Sequence, residues 1–476
     1  MNPLRRLFRF VSFVALAMIA APGATHAAAP SFLVNSVLDA VDDNVNDTVC
    51  HTASGTCTLR AAIMQANRYT GTGNVAITVP AGEYVLSIDI DGSDGDDSGD
   101  LNLTAPPAGI STITISGAGA ATTIIDANHI DRAFGIAGRA ATITGVTVRN
   151  GNAPPGGNGG AIVLSQIESN LTLTNAVVEL SQANEGGGIG NDGAVALTNV
   201  MVKSNNANFG GGMFNNLGAL MAIKSSTIKS NTSLIGSGGG VLNAGVLSID
   251  QSTISANSSL SAGGIYNRAD TPMSASMTMT NSTVSDNHAQ EKGGGISSFG
   301  TGSLTVGIYS SSIIGNEAAA NPVSGGRGGG IYIVSGAGSK YELSNSLIAG
   351  NYLSGGASYE DCYSPGNLIT AGGLNLFSTS PVATCPFANP SSVATTTLAL
   401  LAIGPLQDNG GPTFTHALLP GSNAIGAVAT ASCKGLNSIA ITVDQRGVSR
   451  VTDGFCDVGA FEYDFSRIFA NGFDPP

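Results

Sequence analysis

Gly186-Gly187-Gly188-Ile189, Gly210-Gly211-Gly212-Met213 and Gly238-Gly239-Gly240-Val241 are three copies of one phrase, a glycine run closed by an apolar residue. The phrase also appears as Gly159-Gly160-Ala161-Ile162 upstream, and as Gly263-Gly264-Ile265, Gly293-Gly294-Gly295-Ile296 and Gly328-Gly329-Gly330-Ile331 downstream. The closing residues lie 27, 24, 28, 24, 31 and 35 positions apart. A second mark runs in phase with the first, a short β-branched strand ending in asparagine: Val202-Lys203-Ser204-Asn205, Ile228-Lys229-Ser230-Asn231, Ile254-Ser255-Ala256-Asn257, Val284-Ser285-Asp286-Asn287, Ile313-Ile314-Gly315-Asn316 and Ile348-Ala349-Gly350-Asn351. A period in this range signals a solenoid, in which each repeat buries its apolar face only against its neighbours.

Helical repeats need ten or more residues of 3.6-residue periodicity per unit, and no such run occurs. Alternating segments such as Leu171-Thr172-Leu173-Thr174 and Met277-Thr278-Met279-Thr280 are bounded by Gly, Asn and Ser, as strands are. About 26 residues per turn suits three short strands and three corners of a parallel β-helix, with glycine supplying positive-φ corners. Asparagine tolerates the same region, and its amide bonds up and down a stack. Upstream strands such as Ala76-Ile77-Thr78-Val79 and Thr112-Ile113-Thr114-Ile115 extend the plan to roughly eleven to thirteen coils, a rod on the order of 55 Å long.

Arg5, Arg6 and Arg9 precede an apolar run from Phe10 to Ala21 and then Thr25-His26-Ala27, the pattern of a secretory leader spanning residues 1–27. No other segment is apolar enough to cross a membrane. Without the leader, 16 basic residues face 32 acidic ones, which argues against a nucleic-acid partner. Export permits disulfides, and proximity suggests Cys50 with Cys57, Cys362 with Cys385 and Cys433 with Cys456, one of fifteen connectivities.

Phe32-Leu33-Val34-Asn35-Ser36 and Cys57-Thr58-Leu59-Arg60-Ala61-Ala62-Ile63, followed by Gln65-Ala66-Asn67, resemble the CSLREA domain of secreted bacterial β-helix proteins. The motif departs at its second position and at its fifth, where a carboxylate is lost. Leu59, Ile63 and Ala66 share one helical face, suited to covering the first coil. Downstream, Gly404-Pro405-Leu406-Gln407-Asp408-Asn409-Gly410-Gly411-Pro412-Thr413-Phe414-Thr415-His416, then Asp444-Gln445-Arg446-Gly447-Val448 and Cys456-Asp457-Val458-Gly459-Ala460-Phe461-Glu462, resemble the choice-of-anchor Q region. The glycine units, with Phe209 and Phe214-Asn215-Asn216, resemble polymorphic outer-membrane protein repeats. These resemblances imply a right-handed, pectin-lyase-like β-helix displayed outside a Gram-negative cell, and no particular catalytic residue.

The expected division is a leader (1–27), a cap (28–70), β-helix repeats (71–355), an anchor-like region with disulfides (356–463) and a tail (464–476). Within the tail, Arg467 to Asp474 resembles a short sorting tag, and the stretch is too short for a barrel translocator.

Polysaccharide hydrolysis needs paired carboxylates across a groove. Of the polygalacturonase motifs only Asp-Asp occurs, at Asp42-Asp43 and Asp96-Asp97, and the histidines are scattered without a nucleophile frame. The chain also lacks Trp, the strongest platform for sugars. One acidic cluster stands apart: Asp89, Asp91, Asp94, Asp96, Asp97 and Asp100, interleaved with glycines, supplies the hard oxygens Ca²⁺ requires, or else is a solvated loop. Asp42, Asp43 and Asp47 form a smaller group read as a solvated loop. The leading expectation is a secreted or surface-attached, adhesin-like protein that binds a polysaccharide or a host-surface component without catalysis. A polysaccharide lyase or hydrolase and a structural surface-layer component are the alternatives.

Overall fold

The computed structural model describes residues 29–89, 95–105, 112–319, 326–353, 358–379, 381, 384–450 and 454–464. The expected leader, the tag-like tail, Asp91 and Asp94 lie outside them. The described chain is a right-handed parallel β-helix, the hand that parallel crossovers take. Three sheets run along it, a broad one of 22 strands, a narrow one of 10 and a short one of 8, all parallel except for the last pair of the short sheet, where Tyr352–Leu353 meets Ser358–Tyr359 antiparallel.

The repeat positions stack as their spacing predicts. In the narrow sheet Ile162 pairs with Ile189, and the column continues through Met213, Val241, Ile265, Ile296 and Ile331 to Cys362. All are buried, so variable repeat length is absorbed at the corners while the core register stays constant.

The first glycine of each unit takes positive φ, for example 62° at Gly210 and 76° at Gly238; in the two-glycine unit Ala262 fills that place at 60°. The third glycine explains why the two sequence marks stay in phase. A Cβ on Gly212, Gly240 or Gly295 would come within 3.0–3.1 Å of Asn231, Asn257 or Asn316. Each triplet therefore leaves room for the asparagine of the next coil.

Those asparagines do not occupy left-handed backbone, contrary to expectation. Positive φ falls on the residue before each, at Ser204, Ser230, Ala256, Asp286, Gly315 and Gly350. The asparagines point inward, fully buried, where an amide can bond both up and down the stack. Nδ2 of Asn205, Asn231, Asn257, Asn287 and Asn316 donates to the next Oδ1 at 2.9–3.1 Å. Asp361 ends the ladder by accepting from Asn351 at 2.9 Å. Left-handed asparagines sit at another bend instead, at Asn175, Asn199, Asn281 and Asn345.

Parallel pairing outruns the expected boundaries at both ends. Ser31–Leu33, assigned to the cap, pairs with Ala76, Ile77 and Thr78, and Asn375–Phe377 and Val393–Thr395, assigned to the anchor-like region, form later ranks. Coil strands need only backbone and a few inward apolar residues, so irregular sequence hides them.

Helix α1 (Leu59–Arg68) starts at Thr58, whose hydroxyl accepts from the Ala61 N–H, and packs on strands Asn74–Val79 and Leu101–Thr104. The apolar spacing predicts one buried face. Instead Leu59 through Asn67 are all buried, because the loops around Asp42 and Asp96 cover the polar side. All three proposed disulfides form, with Cα–Cα distances of 5.1, 6.0 and 6.5 Å.

After Thr395 the chain turns back along the rod as a strap. Its residues Leu401, Leu418, Val428 and Val458 bury Ile314, Leu347, Ala349 and Leu376 of the outer coil face in a second core.

Candidate functional site

Two columns of side chains flank the glycine corner. The narrow sheet turns every second residue outward, which lines up Gly190, Phe214, Leu242, Tyr266, Ser297, Tyr332 and Tyr363. Before the corner, Asn158 pairs with Glu185 and Glu185 with Phe209; further along, Lys292 pairs with Arg327. Between the columns the backbone doubles back tightly: a Cβ on Gly210 would meet the Met213 carbonyl at 2.6 Å. The result is a concave groove beside this corner over the middle coils.

Over the middle coils the groove opens to about 370 Å³, with Phe209, Phe214, Leu242 and Met273 as apolar lining and Glu185, Arg268 and Asp270 as polar rim. Burial raises the Glu185 carboxyl above its ordinary range and Asp192 adds to the rise, while Asn158 and Arg268 pull it back. Arg268 Nε donates to Asp270 at 2.7 Å. Farther along, the Tyr332 and Tyr363 rings stack 5.7 Å apart at 8°. Lys292 lies 5.6 Å from the Tyr332 ring and Arg327 5.2 Å from the Tyr363 ring. Arg327 also pairs with Glu360 at 3.1 Å.

This wall was legible in principle, because its residues directly follow the closing apolar position of each unit. A search for tryptophan platforms passes over it. The cavity offers apolar contact plus Arg268, and later coils add Lys292 and Arg327 beside the Tyr332 and Tyr363 rings, a set that suits a ligand with polar or anionic groups.

The acidic cluster has a different setting. Asp89 and Asp97 are exposed, and Asp100 is buried. Asp96 accepts from Asn67 at 2.9 Å and from Arg68, and Arg60 binds the carbonyls of Gly99 and Asp100 at 2.8 and 3.3 Å. Side-chain cations of helix α1 thus already fasten this segment to the cap.

The anchor-like motif residues fasten the strap. His416 lies between Ser285 Oγ and the Gly404 carbonyl, both at 2.8 Å, and burial lowers its pKa. Gln445 bonds Thr253, Thr283 and Thr413 at 2.6–2.9 Å. Arg450, fully buried, reaches Asn281 at 3.0 Å, the Gly459 carbonyl at 2.7 Å and Glu462 at 3.2 Å. None of the four described histidines lines the groove.

No protein-family model and no curated protein matches the chain. Among solved structures it aligns with the crystal structure of pectate lyase Pel9A at 13% identity, over 92% of this chain and 97% of that one, with a TM-score of 0.43.

Proposed function

We propose that the chain is exported and acts outside the cell or at its surface as an adhesin-like rod, holding a polysaccharide or another surface component without turning it over. The observation that carries this reading is the corner wall, where apolar and aromatic side chains recur in register on successive coils and Lys292 and Arg327 stack in register beside Tyr332 and Tyr363. A repeated ligand meets a repeated wall. The disulfides suit an oxidising compartment, and no helix among the described residues is long and apolar enough to cross a membrane.

A second reading, polysaccharide cleavage, draws on Glu185, whose raised pKa and place on a rim shared with Asp270 are features of catalytic acids. A structural surface-layer role, the third reading, predicts neither retention nor turnover.

Retention of the purified chain on an array of acidic and neutral polysaccharides, with reducing-sugar and unsaturated-uronate release assayed in parallel, separates the three. The expected outcome is retention without release, weakened about tenfold or more by Arg268→Ala combined with Phe214→Ala, the loss of about 1.4 kcal/mol or more. Release that disappears in Glu185→Gln establishes the enzyme instead.

A further inference from the structure

Four oxygens converge on one nitrogen in the N-terminal cap. Asp42 Oδ1, the Asn44 carbonyl, Asp47 Oδ1 and the Val49 carbonyl lie 2.9, 3.0, 3.2 and 3.0 Å from Gln65 Nε2. An amide nitrogen has two hydrogens, so it serves two acceptors well and leaves the rest facing one another. Two of the four oxygens belong to carboxylates. Asp42 is 6% exposed, and its partners are the backbone N–H groups of Asn44 and His51 and the neutral Gln65 amide. Buried carboxylates are otherwise paired with a cation or bound to a metal. The His51 ring pairs with Asp43 and, at 3.3 Å, with the other oxygen of Asp47, and feels the charge of Asp42 more weakly than theirs.

Gln65 supplies the independent observation. It comes from helix α1 rather than the loop, is only 4% exposed, and is aimed into the oxygen set. Among the described residues its carbonyl oxygen accepts no hydrogen bond, and a half-turn of the amide exchanges that oxygen with the nitrogen. Beside it lies a cavity of about 190 Å³, lined in part by Phe32, Asn46, Thr48, Tyr69 and Arg68, whose guanidinium is turned to Asp96 and the Met64 carbonyl.

We propose that the loop from Asp42 to Val49 and the Gln65 side chain form a divalent-cation site suited to Ca²⁺. With the amide turned over, Gln65 Oε1 joins Asp42, Asp47 and the carbonyls of Asn44 and Val49 as five hard oxygen ligands. Water from the adjoining cavity completes the six to eight that Ca²⁺ takes. The ion neutralises the buried Asp42 and ties the loop to the cap helix over the first coils. This site is separate from the corner groove and does not depend on what the groove binds. It also differs from the Asp89–Asp100 segment, which Arg60 and Arg68 bond directly, whereas neither bonds Asp42 or Asp47.

The test uses the purified chain with Tb³⁺ as probe, excited through tyrosine since Tyr69 lines the cavity, followed by Ca²⁺ competition and thermal melting. The expected results are sensitised Tb³⁺ emission displaced by Ca²⁺, and a melting temperature that rises with Ca²⁺ by mass action. Both should be lost in Asp42→Asn/Asp47→Asn and kept in Asp96→Asn/Asp97→Asn. Gln65→Glu decides the matter should the double variant fail to fold. A further anionic ligand should tighten Ca²⁺ binding about tenfold or more and make stability Ca²⁺-dependent, whereas a glutamine acting only as a hydrogen-bond clamp leaves the variant equally destabilised with and without Ca²⁺. That outcome, an absent Tb³⁺ signal, or a signal that survives the Asp42/Asp47 substitutions overturns the site.

Discussion

At the scale of single residues, the asparagine ladder shows how a polar side chain becomes a core residue. Asn257 Oδ1 accepts from the backbone and the side chain of Asn231, both at 3.0 Å, and its Nδ2 donates to Asn287 at 2.9 Å and to the Ile228 carbonyl at 3.0 Å. Every hydrogen-bonding group is satisfied inside a dry column, and each third glycine leaves the space. Asn257→Ala removes all four bonds and strands buried donors and acceptors on three coils. At about 1–3 kcal/mol per unsatisfied group, the expected loss is about 3 kcal/mol or more, read from urea denaturation. A much smaller loss would mean that water enters the column and replaces the amide. The asparagine mark, preceded by Ser, Ala, Asp or Gly, is plain in the sequence, yet it does not reveal which of its last two residues takes the left-handed turn. Both serine and asparagine can enter that region, and only the need for an inward amide chooses between them.

At the scale of elements, helix α1 closes an end that would otherwise present unpaired strand edges. Its hold depends on Arg60, 1% exposed, which bonds Asp39 at 2.6 Å and the carbonyls of Gly99 and Asp100. Asp39 in turn accepts from the backbone of Ser87 and Ile88 at 2.8 and 3.1 Å. Arg60→Met keeps much of the side-chain volume but leaves the Asp39 carboxylate buried without its cation, a change that costs about 3–5 kcal/mol in comparable pairs. Limited proteolysis should then cut between about residues 36 and 100 while the coils beyond resist. Size-exclusion chromatography should show concentration-dependent self-association through the freed end. The helix itself was readable from Leu59, Ile63 and Ala66. Its full burial was not, because the loops that cover its polar face are joined to it only by long-range contacts from Asp39, Asp42 and Asp96.

At the scale of the whole molecule, the strap bonds the chain after Thr395 sideways onto coils that run from Thr253 to Leu376. Its junction holds three carboxylates, Asp444, Asp457 and Glu462, against two guanidiniums, Arg446 and Arg450, all buried or nearly so. Burial, followed by the charge of Asp457, pushes the Glu462 carboxyl up to about 8 against the pull of Arg450. A group whose folded pKa is raised stabilises fully below its unfolded value near 4.5 and loses that contribution as pH rises through about 8. Strap docking should therefore weaken by a few kcal/mol, in order of magnitude, between about pH 5 and pH 8. Glu462→Gln should flatten that slope in melting temperature measured across the same range. A slope unchanged in the variant would assign the dependence to another group.

The sequence by itself determined the parallel β-helix, and proximity picked out the three disulfide pairs that form. Each follows from local period, local spacing or local composition, and a solenoid is built from neighbour contacts alone. The tertiary structure decided the rest: where the coils begin and end, that the anchor-like motif is a strap, and that Phe214, Leu242, Tyr266, Tyr332 and Tyr363 form one wall. It also brought Gln65 to the oxygens of Asp42 and Asp47. The wall residues carry the period of the repeat, but which side of the narrow sheet they face, and what lies across the corner from them, depend on how the coils stack. The strap and the Gln65 contacts depend on side chains that meet across long stretches of chain and leave no periodic trace in the sequence.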